Sequence, residues 1–452
     1  MIKLFLTIYP TFILPQWHRL NSSSLGKRLV RGSFWVAAGM LISRGLSLLA
    51  FMVVARKLGK EHFGELGIVQ NTLMLFQVFA GLGLGQTAVK YVSEYREKSP
   101  EKAGRVIALL SLAAVVTGGL ASLVFWSSAP YMARSVLAAP DLALELRIAS
   151  LLLIISTLIG VQTSILSGFE AFKAIARIHF VVGVFSFPLI ASGAYYGGLK
   201  GAIWGLVASQ AVNLIVCQSA IFRESRQAEI HIIFTGCMEE LAVLWRYSLP
   251  ALLIGIVASP INWVCYVILV NQPQGYAEMG AFNAANQWFA MLIFLPMQLS
   301  RVILPVLSER MGQQDMARSR KILTSSIACN AAIVFPVIIV ASLASPFIMG
   351  FYGEGFRDAW PTLILVVLSA GIVAIQTPIG QTLWASAKVW RLFAINITWG
   401  GVFLGLTWFW RDSGSLGLAG ARLAAFGVSS ILVFGNAFII LRLRGNSAEK
   451  QI

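Results

Sequence analysis

Apolar residues along this chain gather in runs of roughly 20, separated by short polar stretches. A helix of ~20 residues crosses the ~30 Å hydrocarbon core of a bilayer. Twelve runs of this kind predict spans at 33–55, 65–89, 106–129, 148–169, 178–196, 201–222, 248–269, 281–306, 322–345, 361–383, 392–410 and 418–441. They are numbered 1 to 12 below. Helix is the only structure that suits them. Open strands would leave backbone groups unpaired in lipid, and the period-2 alternation of a membrane barrel is absent. The expected fold is an all-α polytopic membrane protein of 12 transmembrane helices.

Composition agrees with that pattern. The 452 residues are 57% hydrophobic and only 12% charged, with mean hydropathy +0.77. A soluble chain carries about 25% charged residues, so this one cannot cover a globule with water-compatible side chains. Disorder is excluded too, because disordered chains are polar. The net charge of +16 would point a soluble protein toward nucleic acid. Here the positive-inside rule accounts for it, and no nucleic-acid partner is expected. With the N-terminus inside, the inward segments hold 24 Lys and Arg against 8 outside. Both termini are therefore expected in the cytoplasm, with the chain in the plasma (inner) membrane. Residues 1–24 hold two apolar stretches broken by Pro10 and Pro15. They read as an interfacial leader rather than a signal peptide. Cys217, Cys237, Cys265 and Cys329 show no CxxC spacing, and the four histidines are scattered. No metal or cofactor is expected.

The chain also repeats itself. His62-Phe63-Gly64-Glu65-Leu66-Gly67, opening span 2, matches Gly275-Tyr276-Ala277-Glu278-Met279-Gly280, opening span 8. Val92-Ser93-Glu94 matches Leu307-Ser308-Glu309, and Gly198-Leu199-Lys200-Gly201-Ala202 matches Gly417-Leu418-Ala419-Gly420-Ala421. Six spans lie in each half, so the repeat is parallel, about an axis along the membrane normal. The expected domains are a cytoplasmic or interfacial segment 1–32, an N-lobe 33–222, a linker 223–247, a C-lobe 248–441 and a tail 442–452. Two pseudo-symmetric six-helix lobes around a central cavity would suit alternating access.

Several motifs together resemble a known family. They are Ala55-Arg56-Lys57-Leu58-Gly59, Phe63-Gly64-Glu65-Leu66-Gly67, Gly81-Leu82-Gly83-Leu84-Gly85-Gln86 and Lys90-Tyr91-Val92-Ser93-Glu94-Tyr95. In this order the chain is similar to the polysaccharide-biosynthesis exporters, the O-antigen-type flippases of lipid-linked oligosaccharides. These share a superfamily with multidrug (MATE-like) exporters. The resemblance implies translocation of an undecaprenyl-pyrophosphate-linked oligosaccharide from the cytoplasmic to the outer face. It also implies a cationic central cavity, with a polysaccharide polymerase and chain-length proteins as possible partners. No enzymatic activity is expected.

Candidate residues follow from the cost of burying charge, at least ~2.5–3.5 kcal/mol for Arg in mid-membrane. Arg44 sits eleven residues from either end of span 1, about 16 Å from both surfaces at ~1.5 Å per residue. No Asp or Glu lies within spans 1, 3, 4, 5 or 6. A guanidinium there suits pyrophosphate oxygens, or else a structural role on carbonyls and polar neighbours. Arg301 and Arg422 lie five residues from the ends of spans 8 and 12, within snorkelling reach. With Arg44 they would grade positive charge along one path. Lys90 would meet an incoming pyrophosphate or simply anchor the inside end of span 2. Asn262, Asn283, Asn286, Gln287 and Gln376 form a polar set for sugar hydroxyls or for helix–helix hydrogen bonds. His179 is a candidate proton carrier or a plain interfacial residue. Pro250 and Pro260 are candidate gating kinks in span 7.

Three other classes are weaker. Cation-coupled drug exporters are expected to hold carboxylates within the membrane, and the deep charges here are arginines. The loop after span 2 lacks the Gly-x-x-x-Asp-Arg-x-Gly-Arg pattern of major-facilitator carriers. A membrane enzyme would need paired carboxylates or a Gly-rich phosphate loop, and the short outer loops offer neither.

Overall fold

The computed structural model describes residues 24–241, 257–313, 316–385 and 389–449, and for some of these, Arg301 among them, the backbone alone. Every extended element among the described residues is a helix. Among the described residues, eight helices are long and apolar enough to cross a membrane. The chain is a multi-pass helical membrane protein.

Two of those eight contain two predicted spans each. Gly39–Gly81 has 43 residues and Phe172–Gln227 has 56. At ~1.5 Å per residue each is about twice the thickness of a bilayer, so each must turn back. The turns are at Gly59 (φ 77°, ψ 175°) and Gly198 (φ 57°, ψ −140°), conformations that a side chain disfavours. Next to the second corner, Gly193 and Gly201 pack backbone to backbone, where a Cβ on either would collide with the other's carbonyl. The six remaining long helices match spans 3, 4, 9, 10, 11 and 12. Ala258–Val270 is the described part of span 7.

Spans 2 and 8 are both interrupted, at equivalent points of the repeat. Span 2 breaks at Leu82 (φ 40°) and Gly83 (φ 69°), and a new helix runs Leu84–Lys98. Span 8 breaks at Ile293, between Gly275–Leu292 and Phe294–Gly312. Pro296 explains the second break, because it lacks the N–H that would bond the Leu292 carbonyl and its ring crowds that carbonyl. Glycines serve the first. Close helix packing is the sequence expectation for Gly81, Gly83 and Gly85. Gly85 meets it, against Ser164, whereas Gly81 has open space beside it.

The chain forms two compact units. One is Val30–Gly280, the other is built on Ala281 onward. Within the first, Leu84, Leu110, Val161, Ile165, Cys217 and Ile221 form a core joining spans 2, 3, 4 and 6. Ile230, from the segment after span 6, closes its end. Within the second, Leu307, Ile379, Leu383, Ile395 and Val433 join spans 8, 10, 11 and 12. In lipid the apolar effect does not draw helices together, so this close fit of small and branched side chains supplies the cohesion. Much of the linker 223–247 is described, but 242–256 are not, so the expected lobe boundary stays an expectation.

Candidate functional site

In the first unit, spans 1 and 5 cross at very short range. A Cβ on Gly39 would meet the Ala176 backbone at 2.8 Å, and one on Gly183 would meet Ser43 Cα at 2.8 Å. His179 lies between Ala176 and Gly183 on span 5, one helical turn from each. Its Nε2 is buried and has no hydrogen-bond partner among the described residues. Arg44 follows Ser43 on span 1, is exposed on this unit, and acts electrostatically on His179. Two residues proposed separately from sequence are thus brought to one crossing. Lys90 is exposed on the helix Leu84–Lys98, its ammonium 4.9 Å from the Tyr91 ring centre.

Arg422 behaves differently. It is only 6% exposed, so it is turned into the second unit rather than snorkelling toward the end of span 12. Its guanidinium donates to Asn286 Oδ1 at 2.6 Å and lies 3.8 Å from the Phe289 ring centre. Phe282 and Phe426 stand farther out, and Trp399 stacks on Phe426. Aromatic faces and an amide oxygen favour a buried cation, which is why this arginine tolerates burial. Arg301 belongs to the same unit, and its side chain lies outside the described residues. Of the three arginines, Arg44 lies in one unit and the others in the second.

The polar candidates are mostly engaged with protein. Gln287 accepts from the Tyr352 hydroxyl at 3.2 Å, and Gln376 from the Ser430 hydroxyl at 2.5 Å. Asn262 donates to the Ala258 carbonyl at 2.7 Å, and Asn283 is half-buried on the span 8 helix. Pro260 lies on the described helix Ala258–Val270, and Pro250 lies outside the described residues. Among the described residues no group of three or more His, Cys, Asp or Glu converges to hold a metal ion.

Sequence reasoning missed several polar contacts. Gln162 donates to Gln218 at 2.6 Å between spans 4 and 6. At one end of the unit, Arg96 pairs with Glu170 at 2.8 Å and Arg105 with Glu239 at 2.8 Å. At the opposite end, Lys60 pairs with Glu278 at 3.2 Å, joining the two repeat motifs. Trp263 donates its indole N–H to Thr72 at 3.0 Å. The repeat was the available signal for the Lys60–Glu278 pair. Gly64 and Gly280 stand within matching motifs, and each would drive a Cβ into the other segment's backbone.

Comparison with known proteins identifies the fold and the family. The family described as Polysaccharide biosynthesis protein matches residues 29–311. The EPS I polysaccharide export inner membrane protein EpsE of Ralstonia nicotianae (strain ATCC BAA-1114 / GMI1000) is 22% identical over 365 residues, covering 80% of this chain and 82% of its own. The lipid III flippase of Escherichia coli (strain K12) is 25% identical over 428 residues, covering 92% of this chain and 99% of its own. Among solved structures, an inward-facing multidrug resistance MATE family transporter of the MOP superfamily superposes with a TM-score of 0.79. It is 15% identical and covers 91% of this chain and 98% of its own, which speaks to the fold alone.

Proposed function

Because the chain belongs to the polysaccharide biosynthesis protein family, we propose that it is a flippase for a polyprenyl-pyrophosphate-linked oligosaccharide. It moves this lipid from the cytoplasmic to the outer face of the inner membrane by alternating access. The family match carries this reading, and the likeness to an export protein and a lipid III flippase supports it. The protein acts as a carrier, and the later chemistry on the glycan belongs to other proteins.

The local geometry fits such a cargo. A pyrophosphate is a dianion or more, and Arg44 carries a planar fork of donors at the same crossing as the buried, unpartnered Nε2 of His179. Interruptions at matching places in two repeats are a common feature of transport sites, because unwound backbone is tolerated where it lines a wet route. Span 2 is unwound at Leu82 and Gly83, and span 8 is kinked at Ile293 near the corresponding place. With the termini in the cytoplasm, Lys90 lies at the entry mouth, and the corner at Gly59 and the loop 270–280 lie at the exit. An inside-negative potential assists outward movement of an anion by about 2.3 kcal/mol per charge per 100 mV.

The test is genetic and chemical. Cells lacking the protein should lose surface polysaccharide and accumulate the undecaprenyl-pyrophosphate glycan, with both restored by the wild-type chain. Normal surface glycan in the null strain, with a gain in drug susceptibility instead, would replace this reading with drug export.

A further inference from the structure

Three segments meet at the exit end of the first unit. The first is the corner between spans 1 and 2, from Gly59 to Gly67. The second is the strap between spans 3 and 4, where a π-helical turn Met132–Val136 ends and Ala138 takes φ 51°. The third is the hairpin between spans 7 and 8, Asn271–Gly280. In the sequence repeat this hairpin belongs to the second half, yet in the structure it packs within the first unit.

The ties among them are specific. A helix end leaves carbonyls without intrahelical partners, and the strap is such an end. The hairpin supplies the missing donors: Asn271 Nδ2 donates to the Val136 carbonyl at 2.9 Å and the Tyr276 hydroxyl to the Leu137 carbonyl at 2.6 Å. The corner is tied by Lys60–Glu278 at 3.2 Å, a pair about three-quarters shielded from solvent. Gly64 and Gly280 let the two backbones touch. Farther in, Thr72 is fully buried and accepts from Trp263 of span 7. Thr72 lies twelve residues beyond Lys60, about 18 Å of helix at ~1.5 Å per residue.

Such ties are individually modest, and all three segments are corners or helix ends rather than span interiors. That combination closes a route firmly without locking it. We propose that these contacts form the exit latch: Lys60–Glu278 and the strap ties at Val136 and Leu137 hold span 7 and the hairpin after it against spans 1 to 4, and the cargo leaves when they part. The latch rests on the transport reading above and adds to it the residues that shut the outer mouth.

The experiment uses Thr72→Cys as a depth marker in whole cells, with a membrane-impermeant maleimide applied from outside. The native cysteines Cys217, Cys237, Cys265 and Cys329 are buried and are replaced by Ala or Ser for this purpose. With the latch intact, Thr72→Cys should stay protected. Lys60→Glu places two carboxylates together and should raise labelling roughly tenfold, as a population shift of that size requires. Adding Glu278→Lys restores an opposite pair and should restore protection. Gly64→Val should also raise labelling by holding the backbones apart. A short bis-maleimide joining Lys60→Cys to Glu278→Cys should stop glycan export. Protection of Thr72→Cys in the Lys60→Glu chain at normal abundance would overturn the latch, as would continued export with the pair cross-linked. If Gly64→Val fails to accumulate, the charge reversal and its rescue decide alone. Labelling involves no glycan, so a different cargo would leave that result standing while failing the export assay.

Discussion

Arg422 of span 12 donates to Asn286 of span 8 at 2.6 Å, with its guanidinium over the Phe289 ring. One buried cation thereby fastens two spans that are 136 residues apart in sequence. Arg422→Ala removes a charge-assisted hydrogen bond and a desolvated cation–π contact, together about 2–4 kcal/mol. Arg422→Lys keeps the charge but loses the planar face, so it should recover only part of that loss. Thermal unfolding in detergent should rank the chains wild type, Lys, Ala. Equal midpoints for all three would show that this contact does not hold the unit together.

The segment after span 6 is held to span 3 by two unlike contacts. Arg105 pairs with Glu239, whose side chain is 71% exposed. Gly104 takes the His231 carbonyl directly on its backbone, with no room for a Cβ. An exposed pair contributes ~0.2–1 kcal/mol, whereas a forced backbone displacement costs more. Limited proteolysis of 228–241 should therefore rise strongly in Gly104→Val and slightly in Arg105→Ala. The reverse order would mean that charge, not close approach, docks this segment.

Tyr276 is held in its neutral form. Burial, with the Glu65 carboxylate adding to it, pushes the phenol well above its usual range. A raised folded pKa means that the stabilisation is complete below the unfolded value near 10 and is lost only as pH rises past it. The Tyr276–Leu137 tie should thus be constant from about pH 6 to 9. Tyr276→Phe should lower stability by about 1 kcal/mol, equally at both ends of that range. A loss confined to alkaline pH would show a phenolate in the native chain.

Much of this architecture was legible in the sequence. Lipid imposes a single length scale, so apolar runs such as 106–129 and 148–169 reappear as helices, and the glycine corners fall in the short polar gaps. Pro296 was readable as a helix breaker, but a proline interrupts some membrane helices and merely bends others. The site was less legible. Arg44 and Arg422 look alike as single arginines in apolar runs, yet one is exposed and the other is packed among phenyl rings. That difference depends on how each helix is rotated against its neighbours, and helix rotation is set by contacts far away in sequence. Arg96 likewise finds Glu170, 74 residues on, rather than a nearer carboxylate alone.

His179 gives a sharper test of the crossing between spans 1 and 5. His179→Gln keeps a polar donor where Nε2 stands open, and His179→Leu removes it. If this nitrogen meets the headgroup, surface glycan should persist with Gln and fall at least about tenfold with Leu, a loss of ~1.4 kcal/mol in headgroup binding. Equal export by both chains at equal abundance would confine His179 to packing.

If Arg44 holds the headgroup of an anionic glycolipid carried by this chain, replacing it should slow the transfer of that lipid. The direct measurement is transfer in sealed vesicles containing the purified protein and an undecaprenyl-pyrophosphate oligosaccharide, read by the glycan's exposure to an enzyme added outside. Wild type should expose the inner-leaflet glycan far faster than empty vesicles, Arg44→Lys should retain most of that rate, and Arg44→Ala should lose it. Wild-type vesicles no faster than empty ones would contradict the flippase itself. Arg44→Ala as fast as wild type would leave the flippase and remove Arg44 from its path.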